Sequence, residues 1–375
     1  MILYISDTHI GENSDSIYDE KLLKLFQKTD DRLEEVVIVG DFLELIDSPC
    51  IESDSWDAQE HIKLLDKINL VHSELFNRIR KLSEKIRISY VYGNHDYMVG
   101  LCPEVSSKVR QMMGDIDILP YHYDEKTKVF AIHGNQFDVF NRFSSDENGK
   151  LVNPVGERLI NYIAHGFISQ MSQVVPEEIL RDYVDVYPSI DIPKWFSYLS
   201  EVYRCNMKMK KIFVNTLVNF CNSQELKQWL DINYPDSKTF LKIAANRYGG
   251  TVISSILARM VLAIKRIKNS NYLMKKSENL LCKEFLIDEK YVLGYGNRTI
   301  KFSTTQVEGL IMGHNHLPAL KEYSGKFYAN TGSWKDILIF DKKNENKFIE
   351  KKRISYIEIE KTGDSLEKKL VLEEI

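Results

Sequence analysis

Ile2-Leu3-Tyr4-Ile5-Ser6-Asp7-Thr8-His9 opens the chain as a short apolar, β-branched run that ends in a carboxylate and an imidazole two residues apart. The same design returns four times. Val36 to Val39 runs into Gly40-Asp41, and Ile88 to Tyr92 into Gly93-Asn94-His95-Asp96. Val129 to Ile132 runs into His133-Gly134, and Gly309 to Met312 into Gly313-His314-Asn315-His316. Runs of this length and composition are expected as buried strands. Between the first three, Asp19 to Lys28 and a long stretch from Glu60 to Lys85 carry apolar residues at helical spacing, the latter with Ile62, Leu65, Ile68, Leu75, Ile79 and Leu82 in one stripe. Strand, motif, helix, strand is the rhythm of a layered α/β fold. Each motif then falls in a loop beyond a strand's C-terminal end, where open α/β sheets gather their ligands.

Towards the C-terminus the character changes. Lys326 to Asn330, Ile337 to Phe340, Ile354 to Glu360 and Lys369 to Leu372 read as strands, with Thr362-Gly363-Asp364 as a turn. They are expected to form a second sheet stacked on the first. The interval between the fourth and fifth motifs is mostly helical. Asn153-Pro154 suits an N-cap and first helical position for a helix whose Ile160, Ile163, Phe167, Met171 and Val174 share a face. Further helices are expected from Pro193 to Asn222 and from Thr251 to Lys268, the second after the Gly249-Gly250 break. The expected division is a discontinuous catalytic domain, 1–140 and 306–375, interrupted by a helical cap over 141–305.

The 375 residues are enough for one large domain or two, and 43% hydrophobic with 28% charged is the composition of a globular chain, not a disordered one. Five widely spaced cysteines without a CxxC pair argue for free thiols and against a disulfide framework or a thiolate zinc site. Ile2 to Ile5 is too short for a signal-peptide core, so a cytoplasmic location is expected. The net charge of -4 hides an asymmetry: residues 139–306 hold 23 Lys+Arg against 16 Asp+Glu. Lys238 to Lys276 contains nine cations and no acidic residue. An anionic partner is expected there, with Arg259, Lys265 and Arg266 as substrate-binding candidates. The apolar stripe through Ile253, Ile256, Leu257, Met260, Ile264 and Ile267 is first a packing face. Its second reading is peripheral contact with an anionic membrane; it is too short to be a transmembrane segment.

Five of the nine histidines lie in the motifs. Asp7 and His9 leave a strand on the same side and can reach one ion; Asp41 has two oxygens and can bridge two; Asn94 offers a neutral oxygen; His133, His314 and His316 offer ring nitrogens. A nitrogen and oxygen set without sulfur favours Mn²⁺, Fe²⁺ or Zn²⁺. Two such ions roughly 3.5–4 Å apart would clamp a phosphoryl oxygen and acidify a bridging water, so phosphoester hydrolysis is the expected reaction. His61, His72, His122 and His165 lack ligand spacing and are expected to be structural.

The order and spelling D-x-H, GD, GNHD, H and GHxH resemble the calcineurin-like metallophosphoesterase superfamily over residues 1–140 and 306–340. That resemblance implies a four-layer α-β-β-α sandwich with a dinuclear centre, here with a large helical cap insertion. It implies Asp7, His9, Asp41 and His316 on one metal and Asp41, Asn94, His133 and His314 on the other, manganese being the first expectation. A metal-bridging hydroxide would attack phosphorus, and His95 would protonate the leaving group with Asp96 holding its ring. Ala329-Asn330-Thr331-Gly332-Ser333-Trp334 and the helical insert look most like the UDP-2,3-diacylglucosamine hydrolase branch. The implied substrate is a phosphorylated small molecule, a nucleotide- or lipid-linked phosphodiester or pyrophosphate. A metal-dependent nuclease is the alternative, since a basic surface neutralises nucleic-acid phosphates regardless of sequence, and a non-catalytic scaffold is the third reading.

Overall fold

The computed structural model describes residues 1–46, 56–187, 191–233, 270–287, 300–303, 305–341 and 347–375. They divide into two compact units, one of Met1–Phe137, Leu273–Lys335 and Lys352–Ile375, the other of Asp138–Tyr272 and Asp336–Lys351.

The first unit begins with β1 (Ile2–Ile5), α1 (Ser16–Thr29), β2 (Glu35–Val39), α2 (Ala58–Val71), α3 (Ser73–Ser83) and β3 (Arg87–Val91). It continues through α4 (Pro103–Met113), β4 (Asp117–Leu119), β5 (His122–Asp124) and β6 (Val129–Ala131). After the second unit come α5 (Ser270–Cys282), β7 (Phe285–Ile287), β8 (Ile300–Phe302), β9 (Gly309–Met312), β10 (Ala319–Tyr323) and β11 (Lys326–Asn330). The chain closes with β12 (Lys347–Thr362) and β13 (Ser365–Glu374).

In the first sheet β4, β3, β2 and β1 run parallel, and β12 adds to β1 antiparallel with Ile2 opposite Ile359. The second sheet has the order β10-β11-β9-β6-β5, its three central strands parallel. Ile2, Tyr4, Val37, Val39, Ile357 and Ile359 from the first sheet and Val129, Ala131, Ile311, Phe327 and Ala329 from the second form one buried cluster. The two sheets therefore pack face to face. Truncating such a residue, Ile311 for example, to alanine costs about 2–5 kcal/mol.

Leu3, Ile5, Val36 and Ile38 are equally buried on the opposite face, and α1, α2 and α3 each bury an apolar stripe. On the far side of the second sheet, Tyr323 and Lys326 donate to the Met274 and Leu281 carbonyls of α5 at 3.3 and 3.0 Å. The layers are helix, sheet, sheet, helix, as expected of the α-β-β-α sandwich.

Three details differ from the sequence reading. The C-terminal strands β12 and β13 join the first sheet, through β1, and the second sheet is built from 122–131 and 309–330. Alternation of apolar residues marks which face of a strand is buried; its neighbour is a matter of tertiary pairing. The single helix expected over Glu60 to Lys85 is two, α2 capped by Asp57 and ending at His72, where α3 begins. The contact boundaries also depart from 141–305. Residues 273–287 and 300–303 sit with the first unit because Phe285 and Phe302 pack on Phe130, at 4.9 and 5.8 Å between ring centres. Residues 336–341 and 347–351 sit with the second because Leu338 and Phe348 enter its core.

The second unit is mainly helical. Phe167, Phe196 and Met171 centre one core, and Phe140, Phe220 and Trp229 another. Pro154 is the N-cap of the helix Val155–Tyr162, and the Asn153 amide turns to Glu157 at 3.0 Å instead of capping. The helix expected over Pro193 to Asn222 is divided into Ile192–Val202 and Asn206–Asn222 by Arg204, whose φ is 52°. Thr251 to Lys268, with Arg259, Lys265 and Arg266, lies outside the described residues.

Candidate metal centre

All five motifs follow parallel strands, β1, β2 and β3 in one sheet and β6 and β9 in the other, so their loops leave the same end of the sandwich. Asp7, His9, Asp41, His314 and His316 all have left-handed backbone, with φ between 45° and 70°. They are five of the eight non-glycine residues so placed among the described residues. Such conformations cost free energy and persist where the surroundings over-determine them, which is characteristic of functional loops. Two glycines let the loops close up: a Cβ on Gly93 would strike the Asp41 carboxylate, and one on Gly313 would strike that of Asp7.

Among the described residues three sets of side chains each bring their ligand atoms within 4.8 Å of one another: Asp7, His9 and His316; Asp41, His133 and His314; and His9, Glu44 and His95. His316 Nε2 is 3.2 Å from Asp7 Oδ1 and 3.3 Å from His9 Nε2. His314 donates its backbone N–H to both Asp7 oxygens at 3.1 and 3.0 Å. Asn94 Oδ1 is buried and accepts no hydrogen bond among the described residues.

His133 supplies the test of whether a cation fits. Its Nδ1 donates to the Val39 carbonyl at 2.8 Å, so in a neutral ring the lone pair on Nε2 faces Asp41 Oδ2 at 2.9 Å. Two acceptors at that distance, both fully buried, need a proton or a metal between them. Without a metal the proton wins: burial pulls the His133 pKa down, but Asp41 overcomes it and lifts the ring to about 9. His9 is prepared similarly, its Nδ1 held by Glu44 at 2.9 Å with Nε2 turned to His316. An orphaned amide oxygen, oriented imidazoles and two carboxylates without sulfur fit divalent metals.

His95 stands beside the clusters, its ring 4.6 Å from that of His9. Its backbone N–H holds Asp41 Oδ1 at 2.8 Å, and its Nδ1 lies 2.8 and 3.0 Å from the two oxygens of Glu44. Burial lowers the pKa of His95, but Glu44 and Asp41 outweigh it and push the ring up to about 10. Asp96 does not hold that ring. Its oxygens accept from the amides of Phe42, Leu43 and Gly93 and from Tyr90 Oη, so it ties the β2 and β3 loops together. Burial and the nearby charge of Asp41 raise Asp96 to about 6.

Glu44 is therefore the residue missed in the sequence, although it stands only three positions after Asp41. Burial would raise its pKa, but His95 and His9 hold it well below the usual carboxylate range. Lys335 was also missed, and its positive charge acts on both His95 and His316. The stretch Ala329 to Trp334 turns out to brace the loops. Asn330 Nδ2 donates to the Gly313 carbonyl at 2.6 Å, and the Trp334 amide donates to that of Asp7 at 3.1 Å.

Comparison with known proteins bears on the family. No curated protein matched the chain. Among solved structures, an archaeal phosphodiesterase aligns over 93% of this chain and 97% of its own at 12% identity, with a TM-score of 0.28. A single-mutant Vps29 from Entamoeba histolytica aligns over 99% and 98% at 12% identity and a TM-score of 0.25. Vps29 from Cryptosporidium parvum aligns over 100% and 97% at 11% identity and a TM-score of 0.26. The model for calcineurin-like phosphoesterases, in contrast, matches residues 1–192, more than half of the chain. The chain belongs to that family of metal-dependent phosphoester hydrolases.

Proposed function

We propose that the chain hydrolyses a nucleotide- or lipid-linked phosphodiester or pyrophosphate with two divalent metals, manganese first among them and iron or zinc next. Asp7, His9, Asp41 and His316 would hold one ion, and Asp41, Asn94, His133 and His314 the other. When bound, the metals would polarise the phosphoryl oxygens and make water nucleophilic at neutral pH. The observation that carries this reading is the approach of His133 Nε2 to Asp41 Oδ2 with Nδ1 already committed to Val39.

The chain's own residues do the rest. His95 keeps its proton at neutral pH because Glu44 faces Nδ1, and it gives a proton from Nε2 to the leaving oxygen. Glu44 orients both that ring and His9. The family resemblance of Ala329 to Trp334 and the helical second unit support a UDP-diacylglucosamine-like substrate. The cytoplasm is the proposed compartment, supported by the free thiols of Cys102, Cys205, Cys221 and Cys282. No helix among the described residues is long and apolar enough to cross a membrane.

The deciding experiment is a substrate panel with Mn²⁺-loaded protein: aryl mono- and diesters, UDP-diacylglucosamine, nucleotide pyrophosphates, and single- and double-stranded DNA. Pyrophosphate or diester turnover that disappears with chelator is the expected result. Preferential cleavage of DNA would replace the substrate assignment, and inactivity on every phosphoester would end the catalytic one.

A further inference from the structure

We infer that His72, as an imidazolium held by Asp19, is a positioning residue that anchors the loop carrying His9 through the carbonyl of Gly11. His72 stands at the break between α2 and α3, with a fully buried ring outside the metal centre. Its Nδ1 is 2.6 Å from Asp19 Oδ2 on α1, and its Nε2 is 2.9 Å from the Gly11 carbonyl. A carboxylate and a carbonyl only accept, and a neutral imidazole has only one N–H. Both contacts are satisfied together when both ring nitrogens carry protons. The proton belongs on the ring because a carboxyl is the stronger acid by about 2–3 pH units.

The Gly11 peptide is the exit of the Asp7–His9 loop, and it is gripped on both sides. Its N–H donates to Ser14 Oγ at 2.5 Å, and that hydroxyl donates to the His9 carbonyl at 3.1 Å. Ile10, between them, pairs with Phe42 and Glu44 through backbone bonds of 2.9 and 3.0 Å. His9 holds a left-handed φ of 45°, which only such bracing maintains. The ring's own backbone is fixed as well, its amide on Ile68 and its carbonyl on Phe76.

The charged groups around this junction are already matched. Asp19 faces the ring from α1, Lys67 of α2 meets Glu12 of the loop at 3.1 Å, and Lys352 of β12 meets Asp15 at 2.6 Å. Burial lowers the His72 pKa, yet Asp19 and the Gly11 carbonyl carry it above the ordinary histidine value. The anchor is therefore complete below the ordinary value and is lost as pH rises through the raised one.

This inference rests on His9 being a metal ligand, the reading proposed above. Nitrogen-detected NMR of the full chain at pH 6, below the ordinary histidine value, should show His72 protonated on both nitrogens; a single neutral tautomer overturns the anchor whatever the metal does. Asp19→Asn should weaken Mn²⁺ binding about tenfold at pH 6, in the range for residues that orient a ligand. Asp19→Glu should restore most of it, and the gap should close as pH rises past the His72 pKa. A folded Asp19→Asn chain that loses thermal stability with Mn²⁺ affinity unchanged overturns the positioning role alone. A wild-type chain that takes no Mn²⁺ overturns the metal reading and this inference with it.

Discussion

The two sheets deliver unlike chemistry to the same rim. The first sheet's loops bring both ligand carboxylates, the Asn94 amide and the rings of His9 and His95, whereas the second sheet's loops bring only the imidazoles of His133, His314 and His316. Each carboxylate is buried and faces an imidazole from across the sandwich, Asp41 with His133 at 2.9 Å and Asp7 with His316 at 3.2 Å. The pairs nonetheless differ. Burial is opposed at His133 by Asp41 and Asp7, which lift it to about 9. At His316 burial prevails over Asp7, with Lys335 and His9 adding to it, and the ring falls to about 3. One half of the centre keeps a proton where the metal would go, and the other half is ready to bind.

Removing the shared carboxylate should break this asymmetry most severely. Asp41→Asn is expected to lose nearly all phosphoesterase activity and to lower the metal content, read by elemental analysis of the folded protein. Full metal content in that variant would show that Asp41 does not hold the second cluster. In the wild type, Mn²⁺ binding at pH 7 should release about one proton, since His133 must give up its own to ligate. Calorimetry in buffers of different ionisation enthalpy measures it. The release should vanish above about pH 9, where the metal-free ring is already neutral.

The next effects lie on the first sheet. His95→Asn should retain metal and lose roughly 10²–10⁴-fold in kcat on an alkyl ester, with a smaller loss on a nitrophenyl ester that needs no protonation. An equal loss on both would remove His95 from proton transfer. Glu44→Gln should cost about 10–100-fold. It should also draw the alkaline limb of the kcat profile to lower pH, because a general acid is useful only below its pKa and Glu44 is the main charge holding that of His95 up.

Why Glu44 was hidden while Asp7, Asp41 and His133 were visible follows from the range of the signal. The five motifs each end a β-branched run, so local periodicity places them and residue type names their chemistry. Phe42-Leu43-Glu44 belongs to no periodic element, and His95 comes 51 positions later, so the contact exists only after β2 and β3 pair. Asp96 departs from expectation for the complementary reason. Adjacency to His95 suggested a partner, but the turn aims its carboxylate at three amides and Tyr90. The alternation in Ile354 to Glu360 announces a buried face but not a neighbour, and the strand expected in a second sheet pairs with β1 of the first. The helix break falls at His72, whose ring meets Asp19 and the Gly11 carbonyl, partners that an uninterrupted apolar stripe does not reveal.

The smallest effect separates the two sheets by sign. Lys335 follows buried Trp334, whose amide is fixed to Asp7, and its charge lowers the pKa of both His95 and His316. Lys335→Gln should therefore raise both, by about 1 kcal/mol or less for a charge acting through a solvated rim, or roughly fivefold in equilibrium. For His95 the alkaline limb moves to higher pH, opposite to Glu44→Gln. For His316 the proton competes better with metal, so affinity weakens slightly at acidic pH and is unchanged at neutral pH. Combining Lys335→Gln with Glu44→Gln should return the alkaline limb part of the way towards the wild type. Equal displacement of the limb in the single and double variants would mean that the two charges do not act on the same ring.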